Sequence, residues 1–384
     1  MKPDLQTLEL PVIFWLSART RLAGGPSSDG WQVTDPVVKH LAPALWVLER
    51  HGCLRLGPRT RQAASQAYYQ NHAQWLMWER RQSELLDILG KEEISLMPLK
   101  GVILKNQLYG DYGLREMGDV DILVQDDEFW KAARLLSMAG MKAQLPEGIE
   151  NISQGQALPR SAWPVEINLK DEDGLNIDLH RHLLKSEFYI NLYQVDMQGL
   201  WARSIAVNGS KASSIWSAHL SPYDMLAHLC LHQALHGLLA LTGFLDIDLY
   251  IRNLPATWDW DIFIQRMEEW QARSAAYHSL SFSKYFMGTP LPQDVLEKLD
   301  PGKGARWRVA SLITANSLLA GRPTLGCRYP ALVRLALADN LNTAMRVMQQ
   351  VVFPDRPWLK QRYGAEKSIF WFWKHIWNDV RLRN

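Results

Sequence analysis

The stretch Arg115-Glu116-Met117-Gly118-Asp119-Val120-Asp121-Ile122-Leu123-Val124 decides how the rest of the chain is read. Its second half is a short aliphatic run broken by one acid, the pattern of a buried strand. Strand side chains alternate, so Asp119 and Asp121 fall on one face. Two carboxylates on one side can hold a hard divalent cation through oxygen. The spacing alone is a weak signal, because a solvated strand end would look the same. Its neighbours give it meaning.

Upstream, Ile94-Ser95-Leu96-Met97-Pro98-Leu99 follows the charged turn Lys91-Glu92-Glu93 and reads as a strand. It runs into Lys100-Gly101 and a short helical segment from Val102 to Tyr109. A glycine turn at a helix start presents backbone N–H groups to phosphate oxygens, and Lys100 adds a positive charge. Downstream, Asp126 or Asp127 is expected to cap a helix over Glu128 to Met138 that ends at Gly140. Residues 141–164, with Pro146, Gly148, Gly155, Pro159 and Pro164, read as irregular. Then Val165-Glu166-Ile167-Asn168-Leu169 and Leu175-Asn176-Ile177-Asp178-Leu179-His180 alternate around Asp171-Glu172-Asp173-Gly174, a hairpin signal. Asp178 is the natural third carboxylate, because two-metal phosphoryl transfer needs an acid on the side of the attacking oxygen. His180 shares its face.

The flanks are helical. Residues 1–35 carry helical hints and a break at Gly24-Gly25-Pro26-Ser27-Ser28-Asp29-Gly30, and from Asp35 to about Leu89 apolar residues recur at turn spacing. Ser221-Pro222-Tyr223-Asp224 supplies a cap, a first-turn proline and an acid, and opens a helical region that runs to the end. The expected organisation is α+β: a helical region at 1–91, an α/β core at 92–210, and a helical region at 211–384.

Bulk properties narrow the function. The formal net charge is +2, so no global basic field favours long nucleic acid. Cys53, Cys230 and Cys327 are far apart and form no CxxC pair, which argues against a disulfide framework or a cysteine zinc site and for a reducing, cytoplasmic setting. The N-terminus lacks a signal-peptide pattern, and no apolar run reaches the ~18–20 residues of a bilayer span.

The succession Leu99-Lys100-Gly101, Tyr109, Arg115, Asp119-Val120-Asp121-Ile122-Leu123-Val124, Gly140 and Ile177-Asp178-Leu179-His180 resembles the uncharacterised nucleotidyltransferase family (the NTP_transf_5 type) of the DNA polymerase beta-like superfamily. The resemblance is strong over about 95–185 and looser over 220–290. It implies a small mixed sheet with flanking helices and a metal triad of Asp119, Asp121 and Asp178. It also implies Mg²⁺ or Mn²⁺ as the ion, an NTP such as ATP as co-substrate, nucleotide contacts around Lys100 and Gly101, and a bacterial accessory enzyme. One departure is visible: the wider superfamily has Gly-Ser or Gly-Gly where Lys100-Gly101 stands, and a shorter gap to the carboxylates.

Other residues have competing readings. Arg115 either binds phosphate or pairs with Asp119. His228, His232 and His236 lie at helical spacing; a helix face packed beside the cleft is favoured over a zinc site, with His232 directed at substrate. Leu245-Asp246-Ile247-Asp248-Leu249 repeats the Asp-x-Asp spacing, but on a helix, where i and i+2 diverge; it is read as a decoy with a supporting role for Asp246. The aromatic, basic tail from Lys367 to Trp377 suits docking on the body first, and a partner protein or the membrane surface otherwise.

The expected function is metal-dependent transfer of an NMP from an NTP to a hydroxyl-type acceptor, with pyrophosphate released. The acceptor is a small molecule, sugar, peptide or protein. The alternatives are an inactive nucleotide-binding or scaffold protein of the same fold, and a metal-dependent phosphohydrolase using the histidine row.

Overall fold

The computed structural model describes residues 36–352, apart from 53–54, 110, 112, 147–148, 186, 208–215, 320–323 and 329. The hints at 1–35 and the aromatic tail lie outside the described residues. The helical stretch expected over 35–89 is two helices, α1 (Pro36–Arg50) and α2 (Pro58–Lys91). Gly57 is extended and Pro58 opens α2 where its missing N–H has no partner to lose. Arg61 reaches back to Glu49 with bonds of 2.9 and 2.8 Å. Trp75, Trp78, Leu85, Leu86 and Leu89 form the buried stripe of α2.

The sheet follows: β1 (Met97–Pro98), the one-turn α3 (Gly101–Leu104) continued by a π-turn at Lys105–Tyr109, β2 (Val120–Leu123), α4 (Phe129–Met138), β3 (Lys142–Gln144), α5 (Ile152–Ala157), β4 (Glu166–Lys170) and β5 (Asn176–His180). The strand order is β1-β2-β5-β4-β3. Only β2 and β5 are parallel, so the sheet is mixed. Asp121 stands directly opposite Asp178, Asn168 opposite Asp178, and Glu166 opposite His180.

This register sorts the sheet into two faces. Val120, Ile122, Ile177, Leu179, Ile167 and Leu169 point one way, into an apolar cluster with Trp75 and Leu85 of α2 and Phe129 and Leu136 of α4. The intervening residues Asp121, Asp178, His180, Asn168 and Glu166 point the other way. The hairpin turns through Gly174 at φ 86°, a left-handed conformation that glycine takes without strain, while Asp171 Oδ1 accepts from Leu175 N at 2.8 Å.

Three local expectations need correction. Strand β1 is two residues rather than six, because Leu96 leaves the ladder: its N–H donates to Ser217 Oγ, and its carbonyl accepts from Ser217 and Ala218. Residues 141–164 are not irregular throughout, since they hold edge strand β3 and helix α5; β3 is solvent-exposed and has no apolar alternation to betray it. Neither Asp126 nor Asp127 caps α4. Glu128 stands at the cap but its side chain makes no capping bond, and Asp126 pairs with Arg160 and Arg181 instead.

Beyond the sheet come α6 (Glu187–Leu192), α7 (Met197–Ala202), the antiparallel pair β6 (Ile205–Ala206) and β7 (Ala218–His219), and then α8 (Pro222–Leu235), α9 (Leu241–Arg252), α10 (Trp260–Glu269) and α11 (Arg273–Met287). Shorter helices continue from α12 (Gln293–Lys298) to a last one at Leu341–Val352. Ser221 caps α8 as expected, its Oγ accepting from Asp224 N. Leu99, Leu104 and Leu123 share one apolar cluster with Leu226, Phe244, Phe263 and Leu280, so the helices pack on the acid-bearing side of the sheet. Among the described residues no helix is long and apolar enough to cross a membrane.

Candidate active site

Strand pairing builds the centre of the site. Parallel strands β2 and β5 carry Asp121 and Asp178 side by side, and both are almost wholly buried. Two adjacent buried carboxylates repel, so each must be compensated. Lys100 Nζ donates to Asp121 Oδ1 at 2.7 Å, and His180 Nε2 lies 3.0 Å from the same oxygen. Burial works against the Asp121 charge, but Lys100, His180 and Lys185 hold its carboxyl well below the usual range. Asp178 accepts from Asn168 Nδ2 at 2.6 Å on Oδ1 and from Lys185 Nζ at 3.1 Å on Oδ2. Ligand atoms of Asp121, Asp178 and His180 lie within 4.8 Å of one another, close enough to share an ion.

Asp119 sits one residue before β2, half-buried, and makes no ion pair with a described residue. Burial, then the charges of Asp121 and Asp178, push its carboxyl up to about 6. A half-buried acid raised by burial and then by two neighbouring carboxylates sits where positive charge is short. The oxygen and imidazole donors of Asp121, Asp178 and His180, converging within 4.8 Å, are the observation by which the residues fit a divalent cation; Asp119 lies outside that converging group.

Lys100 is the residue before α3 and takes φ 41°, ψ −113°. The twist turns its ammonium inward to Asp121 rather than outward. Behind it, a Cβ on Gly101 would come within 2.6 Å of Arg115 Nη1, so only glycine lets the guanidinium lie against this turn. Arg115 does not pair with Asp119. Its Nε and Nη2 bind Asp246 bidentately at 2.9 and 2.8 Å, and Tyr109 donates to the same carboxylate at 2.7 Å. The second Asp-x-Asp thus splits as helix geometry requires: Asp246 braces the carboxylate loop, and Asp248 turns away to Arg252.

The histidine row on α8 belongs to the same neighbourhood. His228 is buried with neither ring nitrogen bonded to a described residue, and burial, then Lys100, pushes it down to about 3. His232 is held well below its usual value, chiefly by burial and then by Lys100, and its Nε2 is 3.1 Å from Nε2 of His236. All three rings are therefore neutral at pH 7.

Two site residues escape sequence reasoning. Glu166 Oε2 lies 3.4 Å from His180 Nδ1, and Lys185 reaches Asp178, Glu166 and Asp121. Glu166 was legible in principle as the hairpin partner of His180. Lys185 follows β5 in an irregular segment, where no periodicity aims a side chain.

No curated protein matches this chain. A profile of the family described as uncharacterised nucleotidyltransferase matches residues 38–288, from α1 to the end of α11. With the mixed sheet, the buried Asp-Asp-His group and nearly two thirds of its length accounted for, the chain belongs to that family of nucleotidyltransferases.

Proposed function

We propose that the protein moves an NMP from an NTP onto a hydroxyl-type acceptor in a reaction that depends on Mg²⁺ or Mn²⁺. The observation that carries this is the pairing of Asp121 with Asp178 on adjacent parallel strands, with Asp119 two residues before Asp121. Asp119, Asp121 and Asp178 would hold the ion, which supplies charge neutralisation at the triphosphate. The acceptor oxygen bonds to the α-phosphorus, the bond from that phosphorus to the bridging oxygen breaks, and pyrophosphate leaves with the electron pair. Asp178 orients the acceptor hydroxyl and takes its proton. The Gly101 turn meets the phosphates, with Arg115 Nη1 directed at the same turn and Lys100 holding Asp121 ionised beneath it. His180 orders Asp121, and neutral His232 faces the substrate from α8.

The division into 1–91, 92–210 and 211–384 belongs to this proposal, with the C-terminal helices forming the acceptor pocket. So does a cytoplasmic setting, for which free Cys230 and Cys327 speak. The test is release of labelled pyrophosphate from each of the four NTPs with Mg²⁺, using cell extract as a source of acceptor. Asp119→Ala combined with Asp121→Ala is expected to abolish it. Equal turnover in the two proteins would sink the assignment.

A further inference from the structure

Lys185 puts a built-in cation inside the acid cluster. Its Nζ is 3.1 Å from Asp178 Oδ2, 3.8 Å from Glu166 Oε2 and 3.9 Å from Asp121 Oδ1. Asp121 and Asp178 are two of the three side chains whose ligand atoms converge within 4.8 Å. The ammonium therefore lies against the group best arranged to take an ion. In a two-metal transferase that position, between the third carboxylate and a shared one, belongs to the ion on the attacking side.

The carboxylate oxygens are divided accordingly. Asp178 has both oxygens engaged, by Asn168 and Lys185. Asp121 Oδ1 takes Lys100 and His180. Asp121 Oδ2 and the two oxygens of Asp119 remain without a bonding partner among the described residues. One or two carboxylates plus water is the ordinary protein share of a single Mg²⁺. Charge agrees. Asp119, Asp121, Asp178 and Glu166 bring four negative charges, and Lys100 and Lys185 bring two positive ones. One divalent ion balances the set before substrate arrives, and a second would overshoot it.

We propose that Lys185 stands in for one of the two metal ions and, by engaging Asp178, takes it out of the ligand set named above, so that this protein binds a single divalent ion at Asp119 and Asp121. The proposal rests on the nucleotidyltransferase reading above. A tethered ammonium supplies fixed charge and hydrogen-bond donors beside the acceptor oxygen, where the second ion would supply charge and a ligand site.

Metal stoichiometry tests this without turnover. Mn²⁺ bound per chain is counted by equilibrium dialysis of the full-length protein saturated with a non-hydrolysable ATP analogue. The wild type and Lys185→Arg are expected to hold one Mn²⁺, and Lys185→Met two. Lys185→Gln replaces Lys185→Met if circular dichroism shows that the latter has not folded. Two Mn²⁺ in the wild type, or one in the wild type and the neutral variants alike, overturns the role of Lys185 while leaving the transferase reading standing. No bound Mn²⁺ in any of them removes that reading, and this inference with it.

Discussion

Lys100 is held at a positive φ that L side chains avoid, and it is held there by its own ammonium on Asp121. Such conformations cost about 1–3 kcal/mol and persist where surroundings enforce them. Lys100→Ala and Lys100→Gly both lose the ion pair, but only glycine also relieves the backbone. Lys100→Gly is therefore expected to be the more stable of the two by about 1 kcal/mol in urea denaturation. Equal stabilities would mean that the strain is absent. At this scale the sequence was partly legible. Alternation put Asp119 on one face with Asp121, and Asp178 on one face with His180; the ligand atoms that converge are those of Asp121, Asp178 and His180, without Asp119. It did not reveal that Lys100 would turn inward, because one residue before a glycine carries no periodic signal. Lys185 was hidden for the same reason.

Helix α9 shows what an element contributes. Asp246 and Asp248 are equally spaced with the strand pair, yet 100° per residue sends them to opposite partners. Arg115 is mostly buried, so Asp246→Ala strands a guanidinium with little access to water and is expected to cost about 3–5 kcal/mol. Asp248→Ala frees Arg252, which is more exposed, and is expected to cost about half as much in the same denaturant titration. The decoy reading of this motif was therefore right about divergence and silent about Asp246's partner, because a contact across 131 residues leaves no local trace.

Helix α11 carries a pH dependence. His278 is buried, bonds Ser274 O through Nδ1 at 2.8 Å, and faces Arg306, Arg308 and Asp300. Burial, the largest cause, pushes it down to about 4. The unfolded chain takes up its proton first as pH falls, so the fold loses stability from the ordinary histidine range down to about pH 4 and no further. The loss is on the order of 3 kcal/mol. His278→Gln should flatten that part of the stability–pH curve; an unchanged slope would assign it to other groups.

Across the whole molecule, the sheet offers its acids to the side on which the C-terminal helices pack. A ligand bound there touches both parts and stabilises the folded chain by mass action. A Mg²⁺–NTP complex at about 100 times its Kd is expected to add ~2.7 kcal/mol, seen as a higher Tm, and to add nothing to Asp119→Ala combined with Asp121→Ala. The same upward shift in that double variant would place the nucleotide elsewhere. Composition and periodicity conveyed this overall plan well: helices, then a small sheet, then helices. They missed edge strand β3, whose polar residues carry no face preference.

The brace between Arg115 and Asp246 also bears on how the protein can be taken apart. A fragment ending near residue 210 keeps every carboxylate and both lysines of the site. It lacks Asp246, which neutralises Arg115, and it uncovers Leu99, Leu104 and Leu123 to water. Trimming there would spare the acid cluster and remove its buttress, so the shortest stably folded form of this protein should extend at least through α11.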